Sequence, residues 1–322
     1  MRRREFIAGL VLSATMQRAR AQQARLPRVG VLTPANSSDT LVFQAFREGL
    51  HEVDYIDAKT VILDYRLAKG DVGLLPKLAG ELIQIPVDVI VTDGTSAAYA
   101  ARDATKTIPV VMGAIGDPVG SGLVASIPRP GGNVTGMSLR HTELSGKRMQ
   151  LLKQAFADAV RVSVLINPTD PESGLRLRST QEVAAALGIQ LTMLEARTPE
   201  ELRGLDPPAL EGMDGLIVVA TATFWNERAA IIALAAAAKI PAVYPEREYA
   251  DDGGLIAYGA NVPDSFRRAA GYVDRILRGS KPADLPIQQP SKFDFIVNLR
   301  TARALGLMPS PAFLVGIGEV IE

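Results

Sequence analysis

Short apolar runs of strand length alternate with helically spaced apolar positions along most of this chain. Val29-Gly30-Val31-Leu32 reads as a first strand, followed by a polar loop and a helix over about residues 40–53. Residues 60–65 form the next strand. Leu74, Leu75, Leu78, Ala79 and Leu82 then fall on one helical face within 72–84. Residues 87–91 and 109–112 are near-continuous apolar runs, the pattern of strands buried on both faces, with an alanine-rich helix between them. The rhythm restarts after Pro128-Arg129-Pro130-Gly131-Gly132-Asn133, the strongest turn cluster of the chain. An extended segment (134–137), a helix (143–156), a strand (162–166), a helix (176–187) and strands at 190–194 and 216–219 follow. A helix over 229–239 and a strand at 242–244 complete a second set. Two α/β halves, each a parallel sheet covered by helices, account for this order. Residues 255–258 and 263–277 add a strand and a helix. Pro282, Pro286 and Pro290 make 282–297 an extended connector, and a short helix (299–305) stops at Gly306.

Length and composition agree with two lobes. The chain has 322 residues, 47% hydrophobic and 22% charged, which fits a folded protein larger than a single core usually serves. Formal net charge is zero, so the electrostatic footprint of a nucleic-acid binder is missing. No cysteine is present, which excludes thiolate catalysis, cysteine-ligated zinc and a lipid attached through cysteine.

The first 21 residues read as an export signal. Arg2, Arg3 and Arg4 precede an apolar run of about ten residues, too short for the ~20 that span a bilayer. Ala19 and Ala21 stand at the spacing read by signal peptidase, and Arg3-Arg4-Glu5-Phe6 fits the twin-arginine address. Arg18 and Arg20 leave the Sec and twin-arginine routes both open. The expectation is a soluble periplasmic protein without a lipid anchor.

No catalytic constellation emerges. His51 and His141 are the only histidines, lack metal-ligand spacing, and read as solvated positions near helix ends. Gly116-Asp117-Pro118-Val119-Gly120-Ser121-Gly122 has neither dinucleotide nor P-loop spacing, and no Gly-x-Ser-x-Gly elbow occurs. No cofactor or metal is expected. What recurs is small hydroxyl residues where strands meet helices: Ser37-Ser38, Gly94-Thr95-Ser96 and Thr221-Ala222-Thr223. In open α/β sheets, ligands bind beyond the carboxyl ends of the strands, where free backbone N–H groups suit an anion. Each site is equally readable as a helix N-cap. Asp117 fits an Asx-turn or a counter-charge for a ligand ammonium, Glu246 follows a strand end beside Tyr244, and Phe224-Trp225 stand at a strand-to-helix junction.

Several segments together carry a family signature: Arg2-Arg3-Arg4-Glu5-Phe6-Ile7, Ala19-Arg20-Ala21-Gln22-Gln23, Gly116-Asp117-Pro118-Val119, and Arg129-Pro130-Gly131-Gly132-Asn133-Val134-Thr135-Gly136. Ile240-Pro241-Ala242-Val243-Tyr244, Lys281-Pro282-Ala283-Asp284-Leu285-Pro286 and Ala302-Arg303-Ala304-Leu305-Gly306-Leu307 continue it. In these the chain resembles ABC transporter substrate-binding proteins of the type I periplasmic-binding-protein fold, in the group related to tryptophan/tyrosine uptake components. The resemblance implies two Rossmann-like lobes with parallel sheets joined by a three-segment hinge, crossing near 135–139, near 258–261 and within 283–290. The lobes would comprise 27–138 with about 259–283, and 139–258 with about 284–322.

By the same resemblance, first-lobe ligand contacts come from Ser37, Ser38, Gly94, Thr95, Ser96 and Asp117. Second-lobe contacts come from Asn167, Thr221, Phe224, Tyr244 and Glu246. The implied function is a monomeric, non-enzymatic periplasmic carrier that closes around a small solute, an amino acid (aromatic as the leading case) or related carboxylate. It would deliver that solute to an inner-membrane ABC permease and its ATPase. A ligand sensor for a membrane receptor is the alternative within the same fold. A hydrolase or lyase using Asp117 and Glu246 lacks a nucleophile with a positioned partner. A LacI-like regulator would need DNA-binding helices where the export signal stands.

Overall fold

The computed structural model describes residues 25–322, so the export signal lies outside the described residues. The first sheet is built from β1 (Arg28–Thr33), β2 (Ile62–Leu67), β3 (Val89–Asp93), β4 (Val110–Ile115) and β5 (Val134–Ser138). Its order is β2-β1-β3-β4-β5 and every pairing is parallel. Helices α1 (Leu41–Glu52), α2 (Leu75–Ile83) and α3 (Thr95–Ala104) connect the first four strands. Alternate strand residues feed opposite faces: Val29, Val31, Val89 and Val91 join the core under α1, and Leu32 and Ile90 join the core under α2 and α3. Burial on both faces is why these strands read as unbroken apolar runs.

After β5 the chain crosses through Leu139 and Arg140, the latter in left-handed backbone (φ 56°), into α4 (His141–Ala155). The second sheet then forms around β6 (Arg161–Ile166), with β7 (Gln190–Glu195) on one side and β8 (Gly215–Val218), β9 (Ala242–Tyr244) and β10 (Ile256–Ala260) on the other. Helices α5 (Ser173–Ala186), α6 (Pro199–Arg203), α7 (Ala222–Asn226), α8 (Arg228–Ala237) and α9 (Arg247–Asp251) lie between them.

The chain then returns to the first lobe. Helix α10 (Val262–Leu277), capped by the Asn261 side chain, packs on α1. Phe266 meets Phe43 and Phe46 edge-on at 5.7 and 6.4 Å between ring centroids. The approach is close: a Cβ at Gly49 would sit 2.2 Å from the Arg267 carbonyl oxygen. The segment after α10 runs along β5, with Thr135 Oγ1 donating to the Leu285 carbonyl (2.7 Å) and Ser138 N to that of Gln288 (2.8 Å). Only then does it cross back, to β11 (Phe293–Asn298).

The pattern at 282–297 reads as an unpaired connector, yet its last part is β11, antiparallel to β10 and parallel to β12 (Glu319–Ile321). Its prolines all precede Phe293, so nothing removes a donor from the ladder. Helices α11 (Leu299–Leu305) and α12 (Pro311–Leu314) close the second lobe. Among the described residues no helix is long and apolar enough to cross a membrane.

Phe266 is fully buried at the junction of α10 and α1. Phe266→Ala is expected to cost about 3–5 kcal/mol of stability in urea denaturation, as for other large-to-small changes at packed aromatics. A loss below about 1 kcal/mol would contradict the placement of α10 in the first-lobe core.

Candidate functional site

Both sheets change direction of strand order at a switch point, β1/β3 in the first and β6/β8 in the second. The loops leaving these strands face each other across one cavity. Its first-lobe wall is Pro34 and Ala35 after β1, Asp93 to Ser96 between β3 and α3, and Gly116 after β4. The second-lobe wall is Asp170 and Arg176, Ala220 to Ala222 with Trp225 and Asn226, and Glu246 with Glu248. His141, the first residue after the crossing, lies on the same wall. The cavity measures about 110 Å³. One water needs roughly 10–15 Å³ by this measure, so the space suits a small organic molecule.

The lobes are drawn together by one carboxylate. Glu172, fully buried on the second lobe, accepts from first-lobe Thr95 Oγ1 (2.8 Å) and Asp117 N (3.0 Å). Its other oxygen pairs with Arg176, whose guanidinium also reaches Asp170 (2.9 Å) and the Ala220 carbonyl (2.5 Å). Gly116 is what lets this carboxylate in: a Cβ there would lie 1.9 Å from Glu172 Oε2.

The acids left in the cleft have no cation of their own. Asp93 accepts from Thr33 Oγ1 (2.8 Å), but burial dominates and pushes its carboxyl up to about 6. Glu246 is 7% exposed and burial pushes it up to about 8, with Arg148 pulling the other way. Arg148, itself lowered to about 10 by burial, is engaged with the Tyr258 carbonyl (2.8 Å) and the Pro245 carbonyl (3.5 Å). His141 lies 4.0 Å from Glu246 but is not its ion-pair partner. Burial, then the charges of Arg176 and Arg148, hold its pKa well below the usual histidine value, so it is neutral. Glu246 Oε2 and His141 Nε2 are both buried without a hydrogen-bond partner among the described residues. Arg176 Nε and Asn226 Oδ1 on the same wall are likewise buried and unpartnered; such atoms are costly, and four on one cavity wall point to a ligand.

Of the residues singled out from the sequence, Gly94, Thr95, Ser96, Thr221 and Glu246 lie on the cavity wall. Thr95 gives its hydroxyl to Glu172, and the Thr221 hydroxyl caps α7 by accepting from Phe224 N. The other six are placed elsewhere. Ser37 is exposed and accepts from Asp39 N, while the Ser38 carbonyl accepts from Arg47. Asp117 accepts from Gly120 N (2.8 Å), three residues on in its own loop, and borders a separate groove with Arg140 and Glu143. Asn167 is spent on Thr169 and the Arg197 carbonyl. Phe224 is fully buried in the core, and its neighbour Trp225 faces the cavity instead. Tyr244 stacks on Tyr249 inside the same core, with ring centroids 4.9 Å apart.

His141, read as solvated, is 6% exposed because its helix begins at the junction of the lobes. Asp93, Asp170, Glu172 and Arg176 were not singled out as ligand residues. Glu172 and Arg176 do carry a visible signal, an i,i+4 ion pair at a helix start. Among the described residues no group of three or more histidines and acids is placed to hold a metal ion.

Two Rossmann-like lobes, three crossings and a cavity between the switch points define a binding protein of the type I periplasmic fold. Residues 29–321 match the family model described as ABC transporter substrate binding protein, and the chain belongs to that family. Its members take a small-molecule ligand and work with an ABC permease, so this is a solute-binding protein and not an enzyme. A Clostridioides difficile (strain R20291) protein named tyrosine-binding protein is 26% identical over 265 residues, covering 82% of this chain and 76% of that one. The ABC domain from Streptococcus pneumonia, solved in complex with L-Trp, superposes with a TM-score of 0.84 at 24% identity, over 92% of this chain and 100% of that one. The ligand-free, open structure of a substrate binding protein with adhesive properties from Clostridium difficile gives 0.66 at 25% identity, over 92% and 99%. The lower score falls on the open form, while here Glu172 holds the lobes shut.

Gly116→Ala is expected to leave each lobe folded and to oppose closure. Overpacking costs about 1–3 kcal/mol, which corresponds to a roughly five- to 150-fold loss of ligand affinity. Titration followed by fluorescence of Trp225, the sole tryptophan, measures this. Wild-type affinity in the variant would show that closure does not bring Glu172 onto Gly116.

Proposed function

We propose that this chain is the exported, periplasmic solute-binding component of an ABC uptake system and closes as a monomer on an α-amino acid with an aromatic side chain. The observation that carries the reading is the shut cavity with unpartnered polar atoms on its second-lobe wall. On the first-lobe wall, α3 presents its amino end and the Ser96 hydroxyl, which suits a carboxylate. The cleft acids Asp93, Glu246 and Glu248 suit an ammonium, and the Trp225 ring offers an apolar face to a side chain. The names of the similar proteins, one tyrosine-binding and one solved with L-Trp, favour an aromatic amino acid over other solutes.

Delivery would be to an inner-membrane permease driven by its ATPase, after export through the signal at 1–21. Closure needs no chemistry: a ligand touching both walls stabilises the shut state by its differential affinity for it.

Melting shifts of the protein lacking residues 1–21, across the L-amino acids and small carboxylates, test this. A saturable rise is expected with an aromatic L-amino acid, corresponding to about 2.7 kcal/mol at a hundred times Kd. A flat response across the panel contradicts the reading.

A further inference from the structure

The end of the cavity remote from the hinge carries a buried acceptor with nothing to accept. In the first sheet β2 is the edge opposite β5, the strand from which the chain crosses between lobes. Gly70 lies just past β2, and a Cβ there would stand 3.9 Å from Asn226 Nδ2 of the second lobe. His141 is the first helical residue after the crossing and lies 4.0 Å from Glu246, so those two mark the hinge end. Asn226 marks the outer end, and its Oδ1 is buried with no donor among the described residues.

The backbone that carries this amide is held from outside the cavity. Asn226 is the last residue of α7 and directly follows Trp225. Thr221 Oγ1 caps the helix by accepting from Phe224 N (3.1 Å), and the Phe224 ring is fully buried in the core. Arg228 donates to the Trp225 carbonyl (3.0 Å), pairs with Asp252 (2.7 Å) and lies over the Trp225 ring at 4.7 Å from its centroid. The cation next along the chain is thereby committed, and a buried amide oxygen without a donor is costly. Its donor has to come from what the cavity holds.

We propose that Asn226 is the specificity-determining residue for the ligand's side chain, its Oδ1 accepting from an N–H or O–H on the aromatic ring. This assignment rests on the amino-acid reading and narrows the substrate class to aromatic side chains that carry such a donor. With the carboxylate at the amino end of α3 and the ammonium among the cleft acids, the side chain is left to run outward past Trp225. An indole N–H or a phenol O–H then meets Oδ1. Phenylalanine brings the same apolar ring but no donor, and it shuts Oδ1 away unpaired. A site built around a hydrogen bond rejects the analogue that lacks it more strongly than an apolar pocket rejects a change of size.

Calorimetric titration with two ligand pairs tests this, each pair differing only in the ring donor: L-tyrosine against L-phenylalanine, and L-tryptophan against its benzothienyl analogue, in which sulfur replaces the indole N–H. In the pair whose donor-bearing member binds more tightly, that member is expected to exceed its partner by about five- to 150-fold in affinity. Asn226→Leu should bring this ratio close to one, by weakening the donor-bearing ligand and leaving its partner as tight or tighter. A wild-type ratio near one in both pairs, or a ratio that survives in Asn226→Leu, overturns the proposal and leaves the amino-acid reading standing. Equal weakening of all four ligands in Asn226→Leu also overturns it, since that is the mark of a residue acting on closure alone. Absence of saturable binding by any of the four overturns both. Where Asn226→Leu fails to fold, Asn226→Ala, which adds no bulk, takes its place.

Discussion

Glu172 is the contact on which the shut form of this molecule depends. Its carboxylate leaves the second lobe, reaches Thr95 and the Asp117 amide on the first, and is itself balanced by Arg176. A buried charge is tolerated only when its partners are complete, and this one has all of them at once only when the lobes meet. Closure is therefore favoured by the protein's own groups as well as by a ligand. The same contact fixes the cavity, because Thr95 and Gly116 belong to the loops that form its first-lobe wall.

The consequence is a division of charge in the cleft. The terminal nitrogens of Arg176 are taken by the latch and Arg148 by the carbonyls at Pro245 and Tyr258, so Glu246 and Glu248 are left with no cation paired to them. Burial then favours the protonated form of Asp93 and Glu246, and the neutral form of His141. A pocket of this kind is incomplete without a ligand that brings donors. The amino end of α3 opposite it provides the complementary end for a carboxylate.

Much of the architecture was legible in hydrophobic period alone. The strands β1, β3, β4, β6 and β8 are buried on both faces, which leaves apolar runs that no amphipathic helix would show. The end of the 282–297 segment was not, because β11 exists through pairing with β10 some 35 residues away, and antiparallel pairing leaves no mark in a half-exposed strand. The site divides in the same manner. Loops at strand ends, such as Gly94-Thr95-Ser96 and Thr221, are found from the strands themselves. Which side chain of a loop turns into the cleft is decided by contacts distant in sequence. Thr95 is claimed by a residue 77 positions on, and Tyr244 and Phe224 are drawn into the core beneath the strand ends. A lone histidine has no period at all, so the burial of His141 follows only from the meeting of the lobes.

A crystal structure of the protein grown with L-tryptophan tests the central claim most directly. The account predicts lobes related as here, Glu172 bonded to Thr95 Oγ1 and Asp117 N, and the ligand lying between the amino end of α3 and Glu246. A ligand bound with Glu172 turned away from the first lobe, or bound outside this cavity, would contradict it.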